Sequence, residues 1–179
     1  VLQPTEEDFN LVEMDYGHLW TDNKGDSKLP LLRTQHATSG AGLDLMVPFH
    51  GAQDTCVLRE IEEWMSLVGL MGVIRLRTDS APDIQIVAKQ VAAKRVGRTI
   101  VETTPVKSSS SLGQVERRIQ AVGAQTRTMR AAFQAMCDIQ LLVNQPAFGW
   151  LVRHAGYLLD RFQPSRSRGG RTPYEILYQ

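Results

Sequence analysis

The stretch TTPVKSSSSLGQVERRIQAVGAQTRTMRAAF, Thr103 to Phe133, decides how the chain is read, because a serine-rich loop runs there straight into a periodic segment. Val115, Ile119, Val122, Met129 and Phe133 recur at spacings that hold them on one side of a 3.6-residue helix, a stripe suited to a core. Ser111, with Gln114 three residues on, has the capping-box pattern that satisfies the first free amides of such a helix. Glu116 falls in the first turn, and Gln120, Gly123, Arg127 and Arg130 follow it along the edge beside the apolar stripe. One carboxylate thus opens a face that is otherwise polar and basic, a shape able to follow a phosphate backbone.

Working outward, the 179 residues, 42% of them hydrophobic, suit one well-buried domain spanning 1–179. Cys56 and Cys137 have no partner spacing, which argues against a disulfide framework and a zinc site and for a reducing, intracellular setting. The sequence shows no signal peptide, no lipidation motif and no apolar run of membrane-spanning length, so no membrane partner is expected. The net charge of +1 hides an asymmetry: residues 1–63 hold 4 basic and 12 acidic side chains, whereas 89–130 hold 9 basic and 2 acidic. Such a division suits a polyanion on one side of the fold, although a charge run is as often a solvated face.

In chain order, 1–8 reads as a polar linker and Phe9 to Gly17 as a strand with Val12, Met14 and Tyr16 on one face and Leu11, Glu13 and Asp15 on the other. Leu31 to Ala37 and Leu43 to Phe49 read as two more strands about a hairpin turn at 38–41, completing an antiparallel meander. Asp54 caps a helix that buries Val57, Ile61, Trp64, Met65 and Val68 and stops at Gly69. Gly72 to Thr78 is the next strand, and after a helical crossover it should join the sheet in parallel. Ser80, Pro82 and Asp83 open a helix that runs toward Gly97, and Thr99 to Thr103 is a last short strand. Beyond the Glu116 helix, Phe148, Leu151, Val152, Ala155, Leu158, Leu159 and Phe162 mark another long helix. The stretch 164–171 reads as a flexible basic loop and TPYEILY as a short closing helix. The fold expected is therefore α/β, a mixed five-stranded sheet with three antiparallel strands, then parallel ones, flanked by helices.

Asp15, Asp79 and Glu116 each stand at the edge of an element, Asp15 and Asp79 at strand ends. If the first and fourth strands are parallel neighbours, the two aspartates emerge side by side where loops and ligand sites collect. Glu116 can then complete a cluster whose mutual repulsion a divalent cation would relieve; all-oxygen ligation suits Mg²⁺ or Mn²⁺. Singly, an aspartate after a strand is more often a turn former, as Asp79 in TDSAPD can be. His18, His36, His50 and His154 show no ligand-pair spacing, and Ser108 to Ser111 lack a nucleophile-elbow context.

MDY on the first strand, LRTDSAPD at the end of a later one, PVKSSSSLGQVERRI at a loop-to-helix junction and the closing RGGRTPYEIL together resemble the catalytic core of retroelement integrases, of the retroviral and long-terminal-repeat retrotransposon type. The resemblance implies an RNase H-like fold and an Asp-Asp-Glu triad on Asp15, Asp79 and Glu116 that binds two Mg²⁺ (or Mn²⁺) ions. It implies a nucleotidyltransferase and endonuclease activity: 3′-end processing of the element's DNA, then strand transfer into target DNA, both double-stranded, in the nucleus at the step of integration. Lys107, Ser109 and Gln114 would approach the DNA end, Gln120 and Arg127 would lie along it, and Arg117 and Arg130 would add phosphate contacts. The resemblance also implies a homodimer or higher homo-oligomer; of the two aromatic candidates, Trp64 reads as core and Trp150 as surface. The chain departs from the family pattern in the 36 residues between Asp79 and Glu116, one more than is common, and in Ser80 where Asn is frequent. Two other readings stay open, a decayed or domesticated core that binds nucleic acid or protein without catalysis, and another RNase H-like nuclease or DNA transposase.

Overall fold

A computed structural model describes residues 11–19, 29–51, 54–104 and 113–178. Five strands, β1 (Leu11–Leu19), β2 (Leu29–His36), β3 (Gly42–Met46), β4 (Ile74–Thr78) and β5 (Thr99–Thr103), form one sheet in the order β3-β2-β1-β4-β5. β1 to β3 pair antiparallel, whereas β4 runs parallel to β1 and β5 parallel to β4, as a helical crossover requires. The helices are α1 (Thr55–Leu67), α2 (Pro82–Lys94), α3 (Gly113–Cys137), α4 (Pro146–Phe162) and α5 (Pro173–Leu177).

Strand alternation sends neighbouring side chains into two separate cores. Val12, Met14 and Leu32 point to one face and pack with Ile61, Trp64 and Met65 of α1 and Ile84, Val87 and Val91 of α2. Leu19 and Leu31 point to the other and pack with Val115, Ile119 and Val122 of α3 and Phe148, Leu151 and Val152 of α4. The sheet is thus the middle of three layers, and Trp64 is core as expected.

Several boundaries move for local reasons. β1 continues to Leu19, two residues beyond the expected end, because β2 pairs with it as far as Leu19↔Leu29; Asp15 therefore lies inside a strand rather than at its tip. β3 stops at Met46, just short of Pro48, which cannot donate to a ladder. The cap of α2 is Ala81 rather than Ser80, and the Oδ1 of Asp79 accepts from the Ala81 amide at 2.9 Å, so Asp79 also acts as a turn former. The stripe on α3 holds only through Met129, since Phe133 is exposed where the helix runs past the sheet. Ser111 and the linker 1–8 lie outside the described residues. The stretch 164–171 has defined structure: Ser165 bridges to Arg171 around a 3-10 turn at Arg166–Arg168, and Thr172 and Glu175 then form a reciprocal capping box that starts α5.

Arg33 on β2 is fully buried, a costly position that its partners make tenable. Its guanidinium donates to Asp44 on β3, to Gln35 Oε1 at 3.1 Å and to the Gly40 carbonyl at 3.1 Å, and lies 3.7 Å from Asp160 on α4. Asp160 in turn accepts from the Gly42 amide at 2.8 Å and from Arg118 on α3. Two strands and two helices thus share one charge network. Replacing Arg33 with Met strands the buried Asp44 carboxylate, so a loss of about 3–5 kcal/mol is expected in urea unfolding. The double variant R33M/D44L should recover part of that loss.

Candidate active site

β1 and β4 are in register at Leu11↔Arg75, Val12↔Leu76 and Glu13↔Arg77, where the recorded pairing stops. Carried two residues further, that register sets Asp15 level with Asp79, on strands that lie about 4.8 Å apart while paired. Asp15 and Glu13 are on the face covered by α3, opposite Val12 and Met14. At Gly17, two residues beyond Asp15 on that face, a Cβ would stand 2.5 Å from Ile119 Cγ2, so only glycine lets α3 come this close to β1. Glu116 is three residues before Ile119, nearly one helical turn away, and the contact at Gly17 therefore sets how near Glu116 stands to the aspartates.

Asp15 senses the other two acids. Burial and then the Asp79 charge push the Asp15 carboxyl up to about 7; the Tyr16 amide that bonds to it acts against them, and the Glu116 charge adds a smaller push. Such a donor set, oxygen-only and short of positive charge, fits a divalent cation held by Asp15 and Asp79. Glu116 is exposed on α3, and among the described residues no three His, Cys, Asp or Glu side chains stand close enough to share one ion.

Beside this fork lies an arrangement that spacing alone did not reveal. His50 binds Asp83, in the first turn of α2, through Nδ1 at 2.6 Å and stacks on Tyr16 at 4.1 Å between ring centres with 4° between planes. The Tyr16 hydroxyl accepts from the Gly51 amide at 3.0 Å. His50 and Asp83 are 33 residues apart on different elements, and no periodicity links them.

The remaining assigned residues divide by helix face. Glu116, Gln120, Gly123 and Arg127 follow one stripe of α3, with Gln120 and Arg127 exposed. Gln114 and Arg117 face about 100–160° away from Glu116 around the helix, at 100° per residue. Gln114 accepts from Arg168 at 2.9 Å, and Arg117 donates to the Gly113 carbonyl at 3.0 Å. Arg130 donates to the Leu141 carbonyl at 3.0 Å and lies 5.6 Å over the Phe148 ring, tying α3 to the segment before α4. Lys107 and Ser109 lie outside the described residues.

The folded protein holds the Asp15 proton more tightly than the unfolded chain, whose aspartates titrate near about 3.9. Ionised Asp15 therefore opposes folding, fully above its raised value and least at acid pH. Without metal, Asp15→Asn should raise the melting temperature at about pH 8, and the gain should shrink toward about pH 4 in a thermal-shift series.

No protein-family model and no curated protein matches the chain. Solved structures do. The HTLV-2 integrase catalytic core, solved in complex with magnesium in a dimeric form, superposes with a TM-score of 0.62 at 16% identity over 95% of this chain and 97% of that one. The BIV integrase catalytic core gives 0.60 at 20% identity over 94% and 93%. A simian T-cell lymphotropic virus intasome, bound to PP2A regulatory subunit B56 gamma, gives 0.67 at 11% identity over all of this chain and 58% of that one. The mixed sheet with helices on both faces is accordingly the RNase H-like fold of retroviral integrase catalytic cores.

Proposed function

We propose that the chain is the catalytic core of a retroelement integrase, a metal-dependent polynucleotidyl transferase that processes the 3′ ends of the element's DNA and transfers them into target DNA. The observation that carries this reading is the Asp15 carboxyl at the β1–β4 fork, pushed up to about 7 by burial and then by the Asp79 charge, on a chain with the integrase-core fold. Asp15 and Asp79 would hold the cation, and Glu116 would approach from α3 as the third acid. Two Mg²⁺ or Mn²⁺ ions bound there would neutralise the attacking and leaving oxygens of an in-line displacement at phosphorus. Gln120 and Arg127 line the edge of α3 that continues from Glu116 and contact the duplex there, without reading its sequence. Lys107 and Ser109, a few residues before α3 in the sequence, would meet the DNA end.

A second reading, a core that binds without turnover, is favoured by the exposed position of Glu116, outside any shared coordination sphere. Mn²⁺-dependent strand transfer or disintegration, assayed on the wild type and on Glu116→Gln, separates the two. Turnover abolished by the substitution supports catalysis by the triad; duplex binding with no turnover in either protein supports the second reading.

The core acts as a homo-oligomer, in keeping with the dimeric and trimeric forms solved for the HTLV-2 core. On α4, Trp150, His154 and Tyr157 stack one on the next at 4.8 and 5.8 Å between ring centres, and Trp150 is 63% exposed, a wide aromatic surface for a helix. Arg153 on the same helix reaches Glu60 of α1, so the face is continuous with α1. Trp150→Glu should shift the sedimentation profile toward monomer while the melting temperature stays near the wild-type value.

A further inference from the structure

On the far side of α3 from the acid fork lies a pocket of about 470 Å³ between the start of α3, the end of α4 and the Arg166–Arg168 turn. Four arginines line it, Arg117, Arg118, Arg166 and Arg168, together with Gln35 and Gln114, and no carboxylate is among its lining residues. Counted from Glu116 at 100° per residue, Gln114, Arg117 and Arg118 sit about 100–160° away around the helix, so a ligand here and a ligand at the acids meet different faces.

The floor of the pocket is built. Arg118 donates to Asp160 and to Gln163 Oε1 at 2.8 Å, yet its Nε is enclosed with no hydrogen-bond partner. Arg168 donates to the Ala37 and Thr38 carbonyls at 3.2 and 3.0 Å and to Gln114, which fixes it above the β2–β3 turn. Gly40, in the left-handed region at φ 78°, lies so close that a Cβ would stand 2.8 Å from the Arg168 guanidinium. Beneath them Arg33, Arg118 and Arg168 face the carboxylates of Asp44, Asp160 and Glu13, so the floor is balanced and the rim arginines Arg117 and Arg166 supply the excess positive charge. The Glu13 carboxylate is shared between Arg168 and Arg77, the latter at 3.7 Å. A half-enclosed pocket lined by four arginines and no carboxylate is a site for an anion. Arg117 and Arg166 stand exposed at the rim, where a ligand continuing out of the pocket would meet them.

We infer that this pocket is a second nucleic-acid contact of the core, gripping a backbone phosphate of duplex DNA away from the reacting end. The polymer's class rests on the function proposed above; the anion site itself rests on the arginines. The pocket is open along one side, as a phosphate still joined to its chain requires. Two contacts on opposite faces of α3 hold DNA on either side of the helix that carries Glu116, which orients the helix against the substrate.

The test uses the whole chain and a blunt fluorescent duplex of about 20 base pairs, with anisotropy read between about 50 and 200 mM salt. Arg166→Ala and Arg117→Ala each remove an exposed side chain, and circular dichroism confirms that the fold is kept. Each should weaken binding several-fold and lower the slope of log affinity on log salt by about 1, and Arg166→Glu should weaken it further. Affinity and slope unchanged in all three variants would overturn the inference. Asp79→Asn serves as the control for the other site. Turnover in the wild type that Asp79→Asn abolishes, with duplex affinity insensitive to Arg166, sinks the pocket and leaves the catalytic reading standing. Affinity that falls with Arg166→Ala in a protein without turnover does the reverse.

Discussion

The architecture depends on a single buried cation. Arg33 sits where a large apolar side chain would ordinarily be placed, and once there it must be answered by acceptors from every direction. Asp44 answers from the neighbouring strand, Gly40 from the turn and Asp160 from α4, and Asp160 then recruits Arg118 of α3. Apolar packing alone would let α3 and α4 slide along the sheet at small cost, because dispersion is non-directional. Directional bonds converging on one guanidinium remove that freedom and fix the level at which α3 crosses β1. Gly156 on α4 belongs to the same constraint, since a Cβ there would fall 2.1 Å from the Asp44 carboxylate.

Two clusters of opposite sign flank α3 as a result. On one face the sheet offers Asp15, whose carboxyl is pushed up by burial and then by the Asp79 charge; on the other, four arginines line a pocket that has no carboxylate in its lining. Both are locally unfavourable in the isolated chain, and a complementary ion or phosphate would relieve each. Under the function proposed above, relief of such charge frustration would contribute to binding. The stability of the apo fold is lowered in return.

Much of this was legible in the residues. Alternation in β1, the run GVIRLRT, the cap at Asp54 and the stripe Val115-Ile119-Val122 state the order and faces of the elements, because each is a local pattern with a local cause. The convergence of Asp15 with Asp79 followed from parallel pairing of the first and fourth strands, which the helical crossover dictates. What stayed hidden was long-range and polar. Nothing near Arg33 in the sequence says that an arginine in a strand is buried, since its partners lie at Asp44 and Asp160. The stretch SRSRGGR has the composition of a solvated loop, and only the arrival of Arg168 at the β2–β3 turn gives it a fixed place. The pairing of His50 with Asp83 joins a loop to a helix start across 33 residues, beyond any periodicity.

Gly17 has a wider meaning for how such a centre tolerates change. No bond measures the gap between the β1 aspartate and the α3 glutamate; the gauge is a hydrogen atom, where any other side chain would have a carbon, pressed against the Ile119 methyl. Distances set by bonds survive repacking of their surroundings, whereas a distance set by contact shifts with each methyl gained or lost nearby. The geometry of the acids is therefore tied to the volume of an apolar neighbour, and an alteration that never touches a charge can still retune them.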